Sequence, residues 1–347
     1  MPLVTCRSSH ASAASAAHRT VLFAFLTTFL WSFSAILARR LVQSLGSTLA
    51  NFSRSIVATA LLALWAFSAG HGTDGDGFHW YLLSGVVGFG FGDISLYFAL
   101  ARIGSRLTLL LTQCLAAPLA ILIEWLWLGT ALTPFQLLCG AGVLVGVSAA
   151  LIPKDNPHIP KATLWSGIAF GSLAALGQGL GAVISRKAFA LSLASGVRID
   201  GGTAAFQRIL GGLVCGLLAW WLLRHREGEQ RWSSLTGALR LRRFQFTLLA
   251  AALCGPVLGV ACYQWALATA PSGVVLPIVA LCPIAIIPFS WWLEGDRPKP
   301  RSLLGGALAV ACAIAGTGPL KRKTRFWRTS SGSRRVGHGA GKIGHQP

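Results

Sequence analysis

Charge-free stretches follow one another along the chain at near-regular intervals. Residues 21–38 carry no charge, and neither do 55–70, which follow Arg54. Residues 80–100 are interrupted only by Asp93, and 107–129 only by Glu124. The series continues with 130–153, 162–185, 209–223 (after Arg208), then 244–293, and closes with 302–320. A helix needs about 20 mainly apolar residues to cross a bilayer. The run 244–293 is too long for one helix, and Pro271-Ser272-Gly273 in its middle is a turn signal, so it is read as two. The expected fold class is therefore all-α, a polytopic membrane protein with ten transmembrane helices. Barrel strands would be short and alternating, which these runs are not.

Composition sharpens this reading. The chain is 54% hydrophobic and 12% charged, whereas a soluble domain is roughly a quarter charged. Lys and Arg number 30 against 10 acids, a net charge of +20. A basic excess of this size also marks nucleic-acid binders, but here the charges lie between the apolar runs or in the tail. The expected partner is the lipid bilayer and not nucleic acid, with the chain a multi-pass protein of the cell membrane. Thirteen Lys/Arg fall on the side that holds both termini and fifteen on the other, so charge bias sets no orientation, and oligomeric state is not readable either. The first span follows twenty polar residues and lacks a small-residue cleavage site, unlike a signal peptide. The tail after residue 320 is basic, Gly/Ser-rich and expected to be disordered. Its GHGAGK stretch is no phosphate loop, because Val336 and Ile343 stand where Gly and Ser/Thr are required. The eight Cys form no C-x-x-C pair, so neither a metal site nor a disulfide framework is expected, and no cofactor is implied.

The chain repeats itself. Ser34-Ala-Ile-Leu-Ala-Arg39-Arg40 lies on Gly181-Ala-Val-Ile-Ser-Arg186-Lys187, and Phe52-Ser-Arg54 on Phe206-Gln-Arg208. Ala99-Leu-Ala101 lies on Ala266-Leu-Ala268, Pro118 on Pro283, Pro134 on Pro300 and Gly140 on Gly306. The expected organisation is a polar tail at 1–20, five-helix repeats at 21–153 and 162–320, and a basic tail at 321–347. Five is odd, so the second repeat would thread the membrane upside down. Inverted repeats place a substrate site near the midplane, between halves that can rock. Gly-x-x-x-Gly pairs such as Gly88/Gly92 and Gly177/Gly181 suit close helix contacts.

Helix 3 reads GFGDISLYFALARIGS and is followed by LLLTQCLAAPLAILIEWLWLG and LTPFQLLCGAGVLVGV; the second half answers with ACYQWALATAPSGVVLPIVALCPIAIIPFSWWLEG and LLGGALAVACAIAG. With Trp31 on helix 1 and Phe52-Ser-Arg54 on helix 2, the chain resembles EamA-type transporters of the drug/metabolite transporter superfamily over roughly residues 20–320. That resemblance implies a ten-helix carrier with cytoplasmic termini, moving small metabolites such as amino acids, often outward. It also implies that helices 1–4 and 6–9 surround the cavity while 5 and 10 are peripheral. The family often has Glu just after Leu-Gly at the end of helix 4, where this chain has Thr130; the second half reads Leu293-Glu294-Gly295-Asp296.

Charges inside a bilayer are costly and functional by default. Only Asp93 and Glu124 lie within apolar runs. Glu124 is near a helix end and could snorkel to the interface. Asp93 and Arg54 fall at similar depth on antiparallel helices, so an ion pair is expected, serving either as a gate or substrate contact or as a static tie. Arg208 stands where Arg54 does, but Val260 stands where Asp93 does. Arg208 would then face water, snorkel, or bind an anionic group such as a substrate carboxylate. Trp31, Tyr97, Gln113, Gln178, Tyr263 and Gln264 complete the expected substrate-binding or gating set. Pro118 and Pro283 are expected helix kinks. Proton coupling through Asp93 is a further option. The competing classes are a membrane receptor or scaffold without transport, and a membrane-embedded enzyme. All eight His lie in tails or loops, and no H-E-x-x-H or nucleophile elbow is present, so no enzyme is expected.

Overall fold

The computed structural model describes residues 4–128, 133–150, 159–227, 237–295 and 298–315, and no strand occurs among them. Helix α1 (Val4–Leu45) starts well inside the stretch read as a polar tail, whose alanines favour helix. Gly46, at φ 81°, turns the chain directly into α2 (Ser47–Ser68). Helix α3 (Phe78–Gly85) passes into a π-helical segment (Val86–Gly92, VVGFGFG) and then into α4 (Asp93–Leu128). Helices α5 (Pro134–Ala150), α6 (Lys161–Ala194) and α7 (Gly201–Glu227) follow. Next come α8 (Arg242–Ala252), a second π segment (Leu253–Val257) and α9 (Leu258–Thr269). The chain then forms α10 (Ser272–Val279), α11 (Cys282–Ala285), α12 (Ile287–Glu294) and α13 (Pro300–Ala315).

Among the described residues, seven helical stretches are long and apolar enough to span a membrane, and Leu138–Ala150 and Pro300–Cys312 are shorter apolar helices. One of the seven, Phe78–Trp127, has 50 residues. At about 1.5 Å per residue it would reach more than twice the bilayer core. It is not one rod: Gly104 adopts φ 77°, ψ 175°, a backbone open to glycine, and breaks it. The long run at 244–293 parts at the same relative place, where Ala270 is extended and Pro271 precedes α10. Pro283 opens the short helix α11, and Pro288 sits at the start of α12. Pro118 lies inside α4, where the only non-helical residue is Gly104. Thr130 and the tail beyond residue 315 lie outside the described residues.

The main helix contacts between the halves interchange when the two are exchanged. Helix α1 packs on α9 as α6 packs on α3 and its π segment; α2 packs on α7, and α5 on α13. One equivalent pair of positions is bonded in both halves with donor and acceptor swapped: Ser84 Oγ donates to the Gly181 carbonyl at 2.7 Å, and Ser34 Oγ to the Ala251 carbonyl at 3.1 Å. Two Gly-x-x-x-Gly pairs meet across the halves. A Cβ on Gly177 would lie 2.7 Å from Gly92 Cα, and one on Gly181 would lie 3.4 Å from Gly88 Cα. Small residues here let two backbones touch, which is how helices associate in lipid. Large apolar side chains such as Leu64, Phe67, Phe91 and Trp292 point outward, as a lipid-facing surface requires.

Candidate functional site

The two halves meet at a common cavity, which the first π segment helps to line. Its empty space, open mouth included, is about 410 Å³. The first half contributes Trp31 from α1, Gly88 and Phe89 from the π segment, and Asp93, Leu96 and Thr112 from α4. The second contributes Gln178 from α6, Arg208 from α7, and Val260 and Tyr263 from α9. π-Helical turns inside α-helices are frequent at functional sites. Here the first is glycine-rich, which removes the side chains that would otherwise fill the space.

Two arginines sit at equivalent places. Arg54 lies over Gly255 of the opposite half's π segment: a Cβ on that glycine would be 2.8 Å from an Arg54 terminal nitrogen. Arg208 lies over Gly88 in the same way, also at 2.8 Å. Their partners differ. Arg54 Nη2 donates to Asp93 Oδ2 at 2.5 Å and stacks on the Tyr97 ring, 4.9 Å from its centroid. Both guanidiniums are 5% exposed, so each needs compensation. Arg208 has no carboxylate within ion-pair distance among the described residues. It rests 5.4 Å from the Phe89 ring centroid. With its amide oxygen turned inward, Gln264 accepts from Arg208 Nε at 3.0 Å, from Arg208 Nη1, and from Ser185 Oγ at 3.2 Å.

Five of the nine sequence-predicted residues line the cavity: Trp31, Asp93, Gln178, Arg208 and Tyr263. The other four stand one layer behind and hold them. Arg54 grips Asp93, Tyr97 supports Arg54, and Gln264 faces Arg208. Gln113 accepts a hydrogen bond from Gln178 Nε2 at 2.6 Å across the halves. Trp31 and Tyr263 form an aromatic wall, with ring centroids 5.1 Å apart. Pro118 and Pro283 do not line the cavity. Sequence reasoning missed Thr112 and Phe89, because a threonine or phenylalanine in an apolar helix carries no distinguishing signal. Thr112 Oγ1 and Tyr263 Oη are buried with no hydrogen-bond partner among the described residues.

Each end of the bundle is tied. At one end, Ser105, just after the Gly104 break, donates to Glu294, which also pairs with Arg39 at 3.2 Å. At the other, Ser272, just after the Pro271 break, donates to Glu124. Glu124 is 4% exposed, so it does not reach the interface as the sequence reading allowed; the serine gives it a partner inside. Arg186, the counterpart of Arg39, donates to the carbonyls of Leu267 (3.3 Å) and Ala270 beside that break.

The Ser272 end carries a further clamp between the halves. Asp200 Oδ1 accepts from Trp65 Nε1 at 3.0 Å and from the backbone N–H of Gly202 and Thr203 at 2.8 and 3.0 Å. Gln207 Nε2 donates to the carbonyls of Gly72 and Asp74, both at 3.0 Å. Partial burial would raise the Asp200 carboxyl, but hydrogen bonds from the Thr203 hydroxyl, the Trp65 indole and the two backbone N–H groups outweigh it. The group therefore sits below the ordinary carboxylate value. Among the described residues no cluster of His, Cys, Asp and Glu could hold a metal ion.

The chain's sequence matches the EamA-like transporter family twice, at residues 18–152 and 165–315. No curated protein matches it. Among 28 matching solved chains is a crystal structure that is 18% identical, with a TM-score of 0.59. The match covers 86% of this chain and 96% of that one. At that identity it speaks for the fold.

Proposed function

We propose that this chain, which belongs to the EamA-like transporter family of the drug/metabolite transporter superfamily, is a secondary exporter of small metabolites such as amino acids. It is a multi-pass membrane protein. The observation that carries the reading is the cavity lined by α1, the first π segment, α4, α6, α7 and α9, where charged and hydroxyl groups from both halves converge. An isolated buried charge is expensive in lipid, so a polar cavity is kept for what passes through it.

Counting the Phe78–Trp127 stretch as two and adding the two shorter helices gives ten spans, five per half. Five per half inverts the second, and the exchange-symmetric packing supports that arrangement. The mechanism is alternating access: the halves rock about the α2–α7 contact, and each end opens in turn. The Ser105–Glu294–Arg39 tie closes one end, and the Ser272–Glu124 bond with the Asp200 clamp closes the other. Rocking requires that one set be released while the other forms.

The test uses full-length protein in proteoliposomes. A solute panel is screened for flux, and cysteines at Ser105→Cys and Ser272→Cys, in a background free of other cysteines, are labelled from each side. Transport predicts flux of at least one panel solute and labelling from opposite sides that shifts reciprocally when that solute is added. Labelling of both from one side, or no flux for the whole panel, would count against the reading and favour a receptor or scaffold.

A further inference from the structure

The two arginine seats are geometric copies, yet among the described residues only Arg54 has a carboxylate within ion-pair distance. Arg54 has its carboxylate: Asp93, 2.5 Å away on the neighbouring helix of the same half. The place equivalent to Asp93 beside Arg208 is Val260, and Val260 lines the cavity. Arg54, Asp93 and Arg208 together leave one buried positive charge without a matching acid. Gln264 offers Arg208 a neutral oxygen, and Phe89 a ring face, and neither neutralises it. Two further donors await a partner at the same cavity, Thr112 Oγ1 and Tyr263 Oη, both buried. Buried hydroxyls are usually hydrogen-bonded, so two without a partner among the described residues, on the cavity that an unmatched guanidinium also lines, point to an acceptor from outside the chain.

We infer that the carboxylate of a small organic solute occupies the position beside Val260, accepting from Arg208, Tyr263 and Thr112. It thereby repeats in the second half what Asp93 does in the first. This rests on the transport reading for its purpose, but not for its test. The solute supplies the acid that the second repeat lacks, so a carboxylate is required for tight binding and a neutral analogue is not a substitute. The Trp31–Tyr263 wall takes its apolar part.

The experiment is thermal unfolding of the purified full-length protein in detergent. The probes are acetate, butyrate and 3-phenylpropanoate, against 3-phenylpropanamide, phenethylamine and potassium chloride. The carboxylates should raise the midpoint, as a ligand that prefers the folded state does, and the amide, amine and chloride should not. Arg208→Gln should weaken carboxylate binding about tenfold to a hundredfold, and Tyr263→Phe by about twofold to tenfold. Val260→Asp should fill the seat from within: its midpoint rises without ligand and the carboxylate response disappears. Should Arg208→Gln fail to fold, Tyr263→Phe and Val260→Asp still decide.

Equal stabilisation by amide and carboxylate, a response to chloride or the amine alone, or no response to any carboxylate overturns the inference. So does a Val260→Asp protein that binds carboxylates as wild type does. Flux of neutral or cationic solutes without a carboxylate response would remove this site and leave transport standing. A carboxylate response with no flux of any solute would do the reverse.

Discussion

Arg54 and Arg208 show what the duplication has kept and what it has changed. Both enter from the second helix of their repeat, both lie over a glycine of the opposite half's π segment, and both are almost fully buried. What has diverged is the acceptor. Asp93 and Tyr97 attend Arg54, while Val260 and Gln264 stand at the corresponding positions by Arg208. The steric framework tolerates little change, because each glycine admits a guanidinium or a backbone that no larger residue would. The charge pattern is free to drift, and a carrier needs it to: two self-satisfied ion pairs would leave a solute nothing to bind.

The largest effect should come from breaking that comparison directly. Arg54→Met leaves the Asp93 carboxylate, 22% exposed on the cavity wall, without its partner and should cost about 3 kcal/mol of stability. Arg208→Met strands no carboxylate and should cost clearly less in ligand-free protein. Adding Asp93→Asn to Arg54→Met should recover most of the loss, since the stranded charge is gone. Denaturation of the three variants in mixed micelles measures this. Equal losses for the two arginines would mean that their environments are equivalent after all.

The shared framework can be tested one glycine at a time. A Cβ on Gly177 would meet Gly92 Cα at 2.7 Å and the Val87 carbonyl oxygen at 2.9 Å, backbone atoms that cannot step aside. Gly177→Ala should therefore cost about 1–3 kcal/mol, in the range of overpacking. Gly88→Ala meets the tip of Arg208 instead, at 2.8 Å, and the end of a flexible side chain can move. It should cost less in stability and show its effect in carboxylate binding. A Gly177→Ala protein as stable as wild type would mean that the crossing of α6 and the first π segment is looser than this geometry requires.

Much of this was legible in the sequence because lipid imposes a simple rule. Long charge-free runs mark helices, and the turn at Pro271-Ser272-Gly273 placed a break where α9 ends. The Arg54–Asp93 pairing followed from similar depth on neighbouring helices, and the structure joins them at 2.5 Å. Three things were not legible. Gly104 falls between the runs 80–100 and 107–129, where a break was expected, but one glycine among 40 does not announce the positive φ that makes it. Glu124 near a helix end looked free to reach the interface, because its partner Ser272 is 148 positions away. Thr112 is one hydroxyl in a largely apolar helix, and only the cavity shows that it shares a lining with Tyr263, whose hydroxyl is also without a partner among the described residues.

The smallest difference between the repeats lies at the start of their second helices. Gly46 begins α2 at φ 81° without any side-chain cap. Asp200 precedes α7 and caps it, accepting from the N–H groups of Gly202 and Thr203, with Trp65 of the other half on the same oxygen. Asp200→Ala should cost about 1 kcal/mol, as lost N-caps do. Gly46→Ala should cost about 1–2 kcal/mol for a different reason, the strain of a side chain in left-handed backbone. Acid separates the two. The Asp200 carboxyl titrates below its ordinary value because its hydrogen bonds favour the charged form. Its stabilisation is fully present above that ordinary value, near pH 4, and is lost as pH falls through the lower folded value. Below about pH 4 the gap between wild type and Asp200→Ala should thus narrow, while the Gly46→Ala gap stays constant. Denaturation midpoints across that range measure both. A wild-type advantage over Asp200→Ala that widens on acidification would mean that the carboxyl is held in its protonated form, and the cap would then have to be redrawn with Asp200 as a donor.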